Sequence, residues 1–166
     1  MTKGNFAEWT GQLVQAEPHN FDAFIQQLCV VFNTSPFFAH NAMSMQVVNG
    51  EIEAKVEMQP FLVGNLAYQI LHGGVAATLL DSIGGVHAMA ALYQRAETKN
   101  LDETLRKISR LATLDLRVDY LVAGKGAFFI ARAETLRMGQ KSCTMRMNLH
   151  NDQQLLIATA IASYAY

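Results

Sequence analysis

The stretch Leu71-His72-Gly73-Gly74-Val75-Ala76-Ala77-Thr78-Leu79-Leu80-Asp81-Ser82-Ile83-Gly84-Gly85-Val86-His87-Ala88-Met89-Ala90-Ala91-Leu92 decides the fold. It contains no proline and a single acid, Asp81. Gly73-Gly74 marks a sharp entry, so the reading predicts a helix that starts near Gly74 and runs through Leu92. The N–H groups of its first turn have no partner within the helix and add to the positive end of the macrodipole. An oxyanion is stabilised at such a place. Asp81 lies about two turns further in, with Gly74, Ala77, Thr78, Gly84, Gly85 and Ala88 as helical neighbours. These form a stripe of small side chains, while Val75, Leu79, Leu80, Ile83 and Val86 read as the core side. Small residues let a backbone or a thin substrate come close, and a carboxylate among them is partly withdrawn from water, which suits it to take a proton. The bland alternative makes the glycines ordinary turn residues and Asp81 a dipole partner. Against it, Asp81 stands too deep, because the dipole effect fades beyond the first turn. His72 reads as an orienting, hydrogen-bonded turn residue before it reads as an acid or base.

The 166 residues suit one domain with a sizeable core. A hydrophobic fraction of 51% against 16% charged residues excludes a disordered chain and points to apolar surface hidden between subunits, so an oligomer is expected. The net charge of -1 leaves no footprint for nucleic acid. No apolar run is read as long enough to span a membrane, and Met1 to Glu17 lacks the hydrophobic centre of a signal peptide, so a cytoplasmic protein is expected. Cys29 and Cys143 read as reduced packing residues, and His19, His40, His87 and His150 show no ligand spacing, so no metal is expected.

Phe6, Trp9 and Leu13, then Phe21, Phe24, Ile25, Leu28, Val31 and Phe32, repeat at helical spacing and predict an N-terminal helical region over 1–34, packed on a domain at 35–166. Ser35-Pro36-Phe37-Phe38 is read as its break. Asn49-Gly50 joins two strand-like runs, Ala42 to Val48 and Glu51 to Met58, and predicts a hairpin. The second run alternates Ile52, Ala54, Val56 and Met58 with Glu51, Glu53, Lys55 and Glu57, so one face is expected to be wet. Asn65 begins the loop to the central helix, either ordering that loop or touching substrate. Arg95 to Arg110 is charged, with Leu101, Leu105 and Ile108 at helical spacing, and reads as a surface excursion or short helix. Arg106, Lys107 and Arg110 within it are further candidates to meet phosphates. Strands follow over Thr113–Leu121, Ala127–Arg137, Ser142–His150 and Leu155–Tyr164, joined by short turns that predict a four-strand meander. One long helix wrapped by an antiparallel sheet accounts for every element.

Gly64-Asn65, Leu71-His72-Gly73-Gly74-Val75, Leu80-Asp81, Gly84-Gly85, the strand Leu114-Asp115-Leu116-Arg117-Val118-Asp119-Tyr120-Leu121 and the tail Leu149-His150-Asn151-Asp152 together resemble the hotdog-fold acyl-CoA thioesterases of the phenylacetate-degradation branch. The resemblance covers about residues 35 to 166. It implies an α+β fold, a six-stranded antiparallel sheet around the central helix, in homodimers or homotetramers with active sites between subunits. It also implies Asp81 as catalytic carboxylate, either general base or nucleophile, and the N–H of Gly73 or Gly74 as donor to the thioester carbonyl. Asn65 would hold water or substrate, and His72 would shape the turn. Thr78, Gly85 and Lys125 are the expected substrate contacts, and no cofactor is implied. The family often continues its Tyr-Leu strand with Arg-Pro, which meets coenzyme A phosphates. Here Val122-Ala123 follows, leaving Lys125, Arg117, Arg137 or Lys141 as substitutes.

The expected activity is hydrolysis of an acyl-CoA thioester. Eight Met and abundant Phe favour medium or long aliphatic chains, because Met fills irregular space. Two other readings stay open: a non-catalytic acyl-CoA or fatty-acid binding module, and an acyl-thioester hydratase or dehydratase. The last of these usually employs a His and acid pair placed differently from His72 and Asp81.

Overall fold

The computed structural model describes residues 20–96 and 100–166. The helical spacing of Phe6, Trp9 and Leu13 therefore lies outside the described residues. Helix α1 (Phe21–Asn33) is capped by the Asn20 side chain, which accepts from the Ala23 N–H at 3.0 Å. It buries Phe24, Ile25, Leu28 and Cys29, and the Phe24 ring stacks on Tyr93 with centroids 3.8 Å apart. The Ser35-Pro36 break is more than a break: Pro36 opens a short second helix, α2 (Pro36–His40), where its missing N–H costs nothing.

Strands β1 (Met43–Val48) and β2 (Glu51–Glu57) form the hairpin expected of Asn49-Gly50, whose φ values of 53° and 81° fit the two left-handed positions of a tight turn. The expected wet face of β2 needs correction. Glu53 is buried, because Arg132 on the neighbouring strand reaches over it and pairs with its carboxylate through both Nε and Nη2. The short ribbon β3 (Val63–Asn65) and β4 (Ile70–Leu71) then delivers the chain to helix α3 (Gly73–Gln94), the predicted central helix. At 22 residues α3 is long and apolar enough by length and composition to cross a membrane, which corrects the expectation that no run is. In this fold the sheet encloses it. Leu79, Leu80, Ile83 and Val86 are all fully buried, each contributing about 1.5–3 kcal/mol.

The charged stretch becomes helix α4 (Leu101–Arg110), which lays Leu105 and Ile108 against the core and its charges outward. Strands β5 (Ala112–Tyr120), β6 (Phe128–Met138), β7 (Ser142–Asn151) and β8 (Leu156–Ala165) complete one antiparallel six-stranded sheet in the order β1-β2-β6-β7-β8-β5. The predicted four-strand meander is thus a three-strand one. The segment with Gly124-Lys125-Gly126 is no hairpin, but carries the chain from β5 on the edge to β6 beside β2. It does so because it docks on β4, where the Leu71 N–H donates to Gly124 O at 2.9 Å. Cys29 and Cys143 are buried free thiols, pushed up to about 11 by burial and so kept uncharged.

Burial holds His87, on the sheet side of α3, below its ordinary range, although Glu51 and Glu134 pull it the other way. The unfolded chain then takes up a proton that the fold refuses. Stability is expected to fall as pH drops from about 7.5 through the free-histidine value of about 6.5. Denaturant unfolding across that range checks this, and His87→Gln is expected to flatten the slope.

Candidate active site

The start of α3 is built by contacts that leave little room. His72 is the N-cap, and its Nδ1 accepts from the Gly74 N–H at 2.9 Å. Of the two glycine N–H groups expected to act as donors, Gly74's is therefore occupied, and Gly73's has no partner among the described residues. A side chain on Gly64 would stand 2.6 Å from the His72 Cα, so only glycine lets β3 pass the cap. Tyr120 lies across Gly73 and donates its hydroxyl to the Gly73 carbonyl at 2.8 Å. Asn65 Oδ1 accepts from the N–H groups of Ala67 and Tyr68, at 3.0 and 3.2 Å, closing an Asx turn in the loop before the helix. Its Nδ2 has no hydrogen-bond partner among the described residues.

Asp81 sits half-buried where α3 passes the edge strand β5. Its Oδ1 accepts from Thr113 Oγ1 at 3.0 Å. The hydroxyl of Tyr164, on β8, lies 3.0 Å from the Asp81 carbonyl oxygen and 3.4 Å from Oδ1. Oδ2 has no hydrogen-bond partner among the described residues. The stripe of small residues around Asp81 is only partly what was expected. Gly84 and Ala88 are buried and belong to the core side, while Gly74, Ala77, Thr78 and Gly85 remain partly open. Gly84 is small because Tyr164 needs its space: a Cβ there would lie 2.2 Å from the tyrosine hydroxyl. Burial, reinforced by the Asp81 charge, raises Tyr164 far above the ordinary phenol range, so it stays a donor.

The expected residues divide into two groups. His72, Gly73, Gly74 and Asn65 gather at the helix start, and Lys125 lies exposed in the connection docked beside β4 at that same end. Asp81, Thr78 and Gly85 lie further along the helix. Asp81 lies eight positions beyond Gly73, about 12 Å along the axis, so one thioester cannot meet both in the same chain. Thr113 and Tyr164 were not among the expected site residues. Each is distant in sequence, and a strand threonine or tyrosine carries no local mark; only the pairing of β5 with β8 beneath α3 brings them to Asp81.

Helix, wrap and strand order define a hotdog fold. Residues 68–158 match the family model of the thioesterase superfamily, and the chain belongs to that family. It is 47% identical over 106 residues to the medium/long-chain acyl-CoA thioesterase YigI of Escherichia coli K12, a span of 64% of this chain and 68% of that protein. Among solved structures, a Shewanella oneidensis protein related to the thioesterase superfamily is similar at 33% identity and a TM-score of 0.77, over 88% of this chain and 97% of the other. The BH2602 protein of Bacillus halodurans, solved with CoA, shares the fold at 18% identity and a TM-score of 0.65, over 95% of this chain and 90% of its own.

His72→Ala is expected to remove the cap of α3 and cost about 1 kcal/mol of stability in denaturant unfolding.

Proposed function

We propose that this chain hydrolyses acyl-CoA thioesters with medium or long acyl chains, releasing free acid and coenzyme A in the cytoplasm. The observation that carries this reading is the Asp81 carboxylate, anchored through Oδ1 by Thr113 and without a hydrogen-bond partner at Oδ2 among the described residues, in a thioesterase-superfamily chain similar to YigI. The two buried, unpaired thiols suit a reducing compartment.

Asp81 acts either as general base or as nucleophile. As a base, Oδ2 takes a proton from water while the water oxygen bonds to the thioester carbon; the C–S bond then breaks, and the thiolate leaves and is protonated. As a nucleophile, Oδ2 bonds to that carbon and expels the thiolate, leaving an anhydride that water cleaves. In either route the carbonyl oxygen gains charge beside the Gly73 N–H, at the positive end of α3. The span of about 12 Å between these groups within one chain supports a site shared by two copies, with Gly73 from one and Asp81 from the other. Strand β5, beside Asp81, is a sheet edge with Leu114 63% and Tyr120 55% exposed, and a second β5 pairing there would bring the two halves together. We assign a homodimer, or a homotetramer built from it, on that ground.

A cavity of about 490 Å³ opens beside His72, with Phe61, Leu62, Val63 and Val75 in its wall. Next to it in the chain, Leu66 and Tyr68 are exposed, 79% and 67%, an apolar surface suited to an aliphatic chain. We assign Asn65 and Lys125 to water or substrate contacts at the helix start, and Thr78 and Gly85 to substrate contacts beside Asp81.

Thiol release from acyl-CoAs of graded chain length tests the proposal. Wild type is expected to turn over medium and long chains best, and Asp81→Asn to lose at least about a thousandfold in kcat. Tight acyl-CoA binding with no turnover by wild type would instead favour a binding module. Single turnover in ¹⁸O-water places label in Asp81 only by the nucleophilic route.

A further inference from the structure

Among the described residues Tyr164 is the largest fully buried side chain, and its hydroxyl points at Asp81. An apolar ring would fill the same volume without a polar atom to satisfy. The fold instead keeps a phenol there and clears space for it, because a Cβ on Gly84 would overlap the hydroxyl at 2.2 Å and crowd Met147 Sδ at 2.9 Å. A glycine in a helix interior costs about 1 kcal/mol relative to alanine, so this space has a standing cost. The single phenolic proton has two acceptors within reach, the Asp81 carbonyl at 3.0 Å and Oδ1 at 3.4 Å, both from the same residue. Thr113 holds Oδ1 from the opposite strand at 3.0 Å.

We infer that Tyr164 is a positioning residue for the reaction. Its hydroxyl fixes the Asp81 backbone and Oδ1 from beneath the helix, so that with Thr113 the carboxylate is held in one rotamer and Oδ2 faces the substrate. Tyr164 does not touch the substrate: it is 1% exposed and lies below α3. Its effect reaches the chemistry through Asp81, in a site where small misplacement of a reacting group lowers rate more than binding. This inference rests on Asp81 being the catalytic carboxylate.

The test compares Tyr164→Phe, Gly84→Ala, their combination and Asp81→Asn in acyl-CoA hydrolysis, with thermal unfolding of each. Tyr164→Phe keeps the ring and removes only the hydroxyl. It is expected to lower kcat about tenfold, the range of one hydrogen bond, with KM within about twofold of wild type. Gly84→Ala keeps the phenol but forces its ring away from Asp81, since the new Cβ would stand 2.2 Å from the hydroxyl and 3.0 Å from Cζ, and is expected to give the same kcat loss; it carries the test if Tyr164→Phe fails to fold. The combined variant is expected to lose no more than the larger single loss, since both remove one interaction. An unchanged kcat in folded Tyr164→Phe, or in Gly84→Ala where Tyr164→Phe does not fold, would overturn the inference, as would equal changes in kcat and KM. If Asp81→Asn keeps its activity, the assignment of Asp81 fails and the inference falls with it. If Asp81→Asn is inactive while Tyr164→Phe matches wild type, the inference alone fails.

Discussion

An apolar helix of 22 residues has to be kept out of water, and the other elements are arranged to do it. Six antiparallel strands curve round α3, α1 covers one flank through the Phe24–Tyr93 stack, and α4 covers another through Leu105 and Ile108. Burial of Leu79, Leu80, Ile83 and Val86 is the largest local gain, and it is non-directional. What fixes the helix in rotation and height is a smaller set of specific contacts. Tyr120 holds the Gly73 carbonyl, Tyr164 holds Asp81, and glycines at 64 and 84 allow those approaches.

The same contacts support the proposed chemistry. The cap by His72 leaves Gly73 as the free donor, and the strands beneath α3 leave Oδ2 as the free carboxylate oxygen. Each half of the site therefore lies on a rigid element braced from the sheet, which keeps reacting groups in place at low entropic cost. In the proposed dimer, the exposed edge of β5 is where the two halves of the site would meet.

Much of this was legible in the chain. The HisGlyGly entry, the apolar run with one acid, the Asn-Gly hairpin and the helical stripe of Phe24, Ile25 and Leu28 are local patterns, and local patterns carry their own periodicity. Errors arose where a residue's surroundings came from another strand. Glu53 alternates like a solvent-facing residue, but Arg132, far along the chain, covers it. Gly84 looked like part of an open stripe, but it lies against Tyr164. The turn at Gly124 looked like a hairpin because its composition is that of one, while strand order depends on pairing energies that no turn encodes.

The sequence by itself determined the helix, its glycine entry, its lone carboxylate and the family to which they point, because backbone freedom at glycine and burial of an apolar run act within a few residues. Only the tertiary structure decided which carboxylate oxygen is held, and which threonine and tyrosine reach it. Those depend on side chains from β5 and β8 meeting α3 across 32 and 83 positions of chain, and a hydrogen bond between such residues exists only once the sheet has closed.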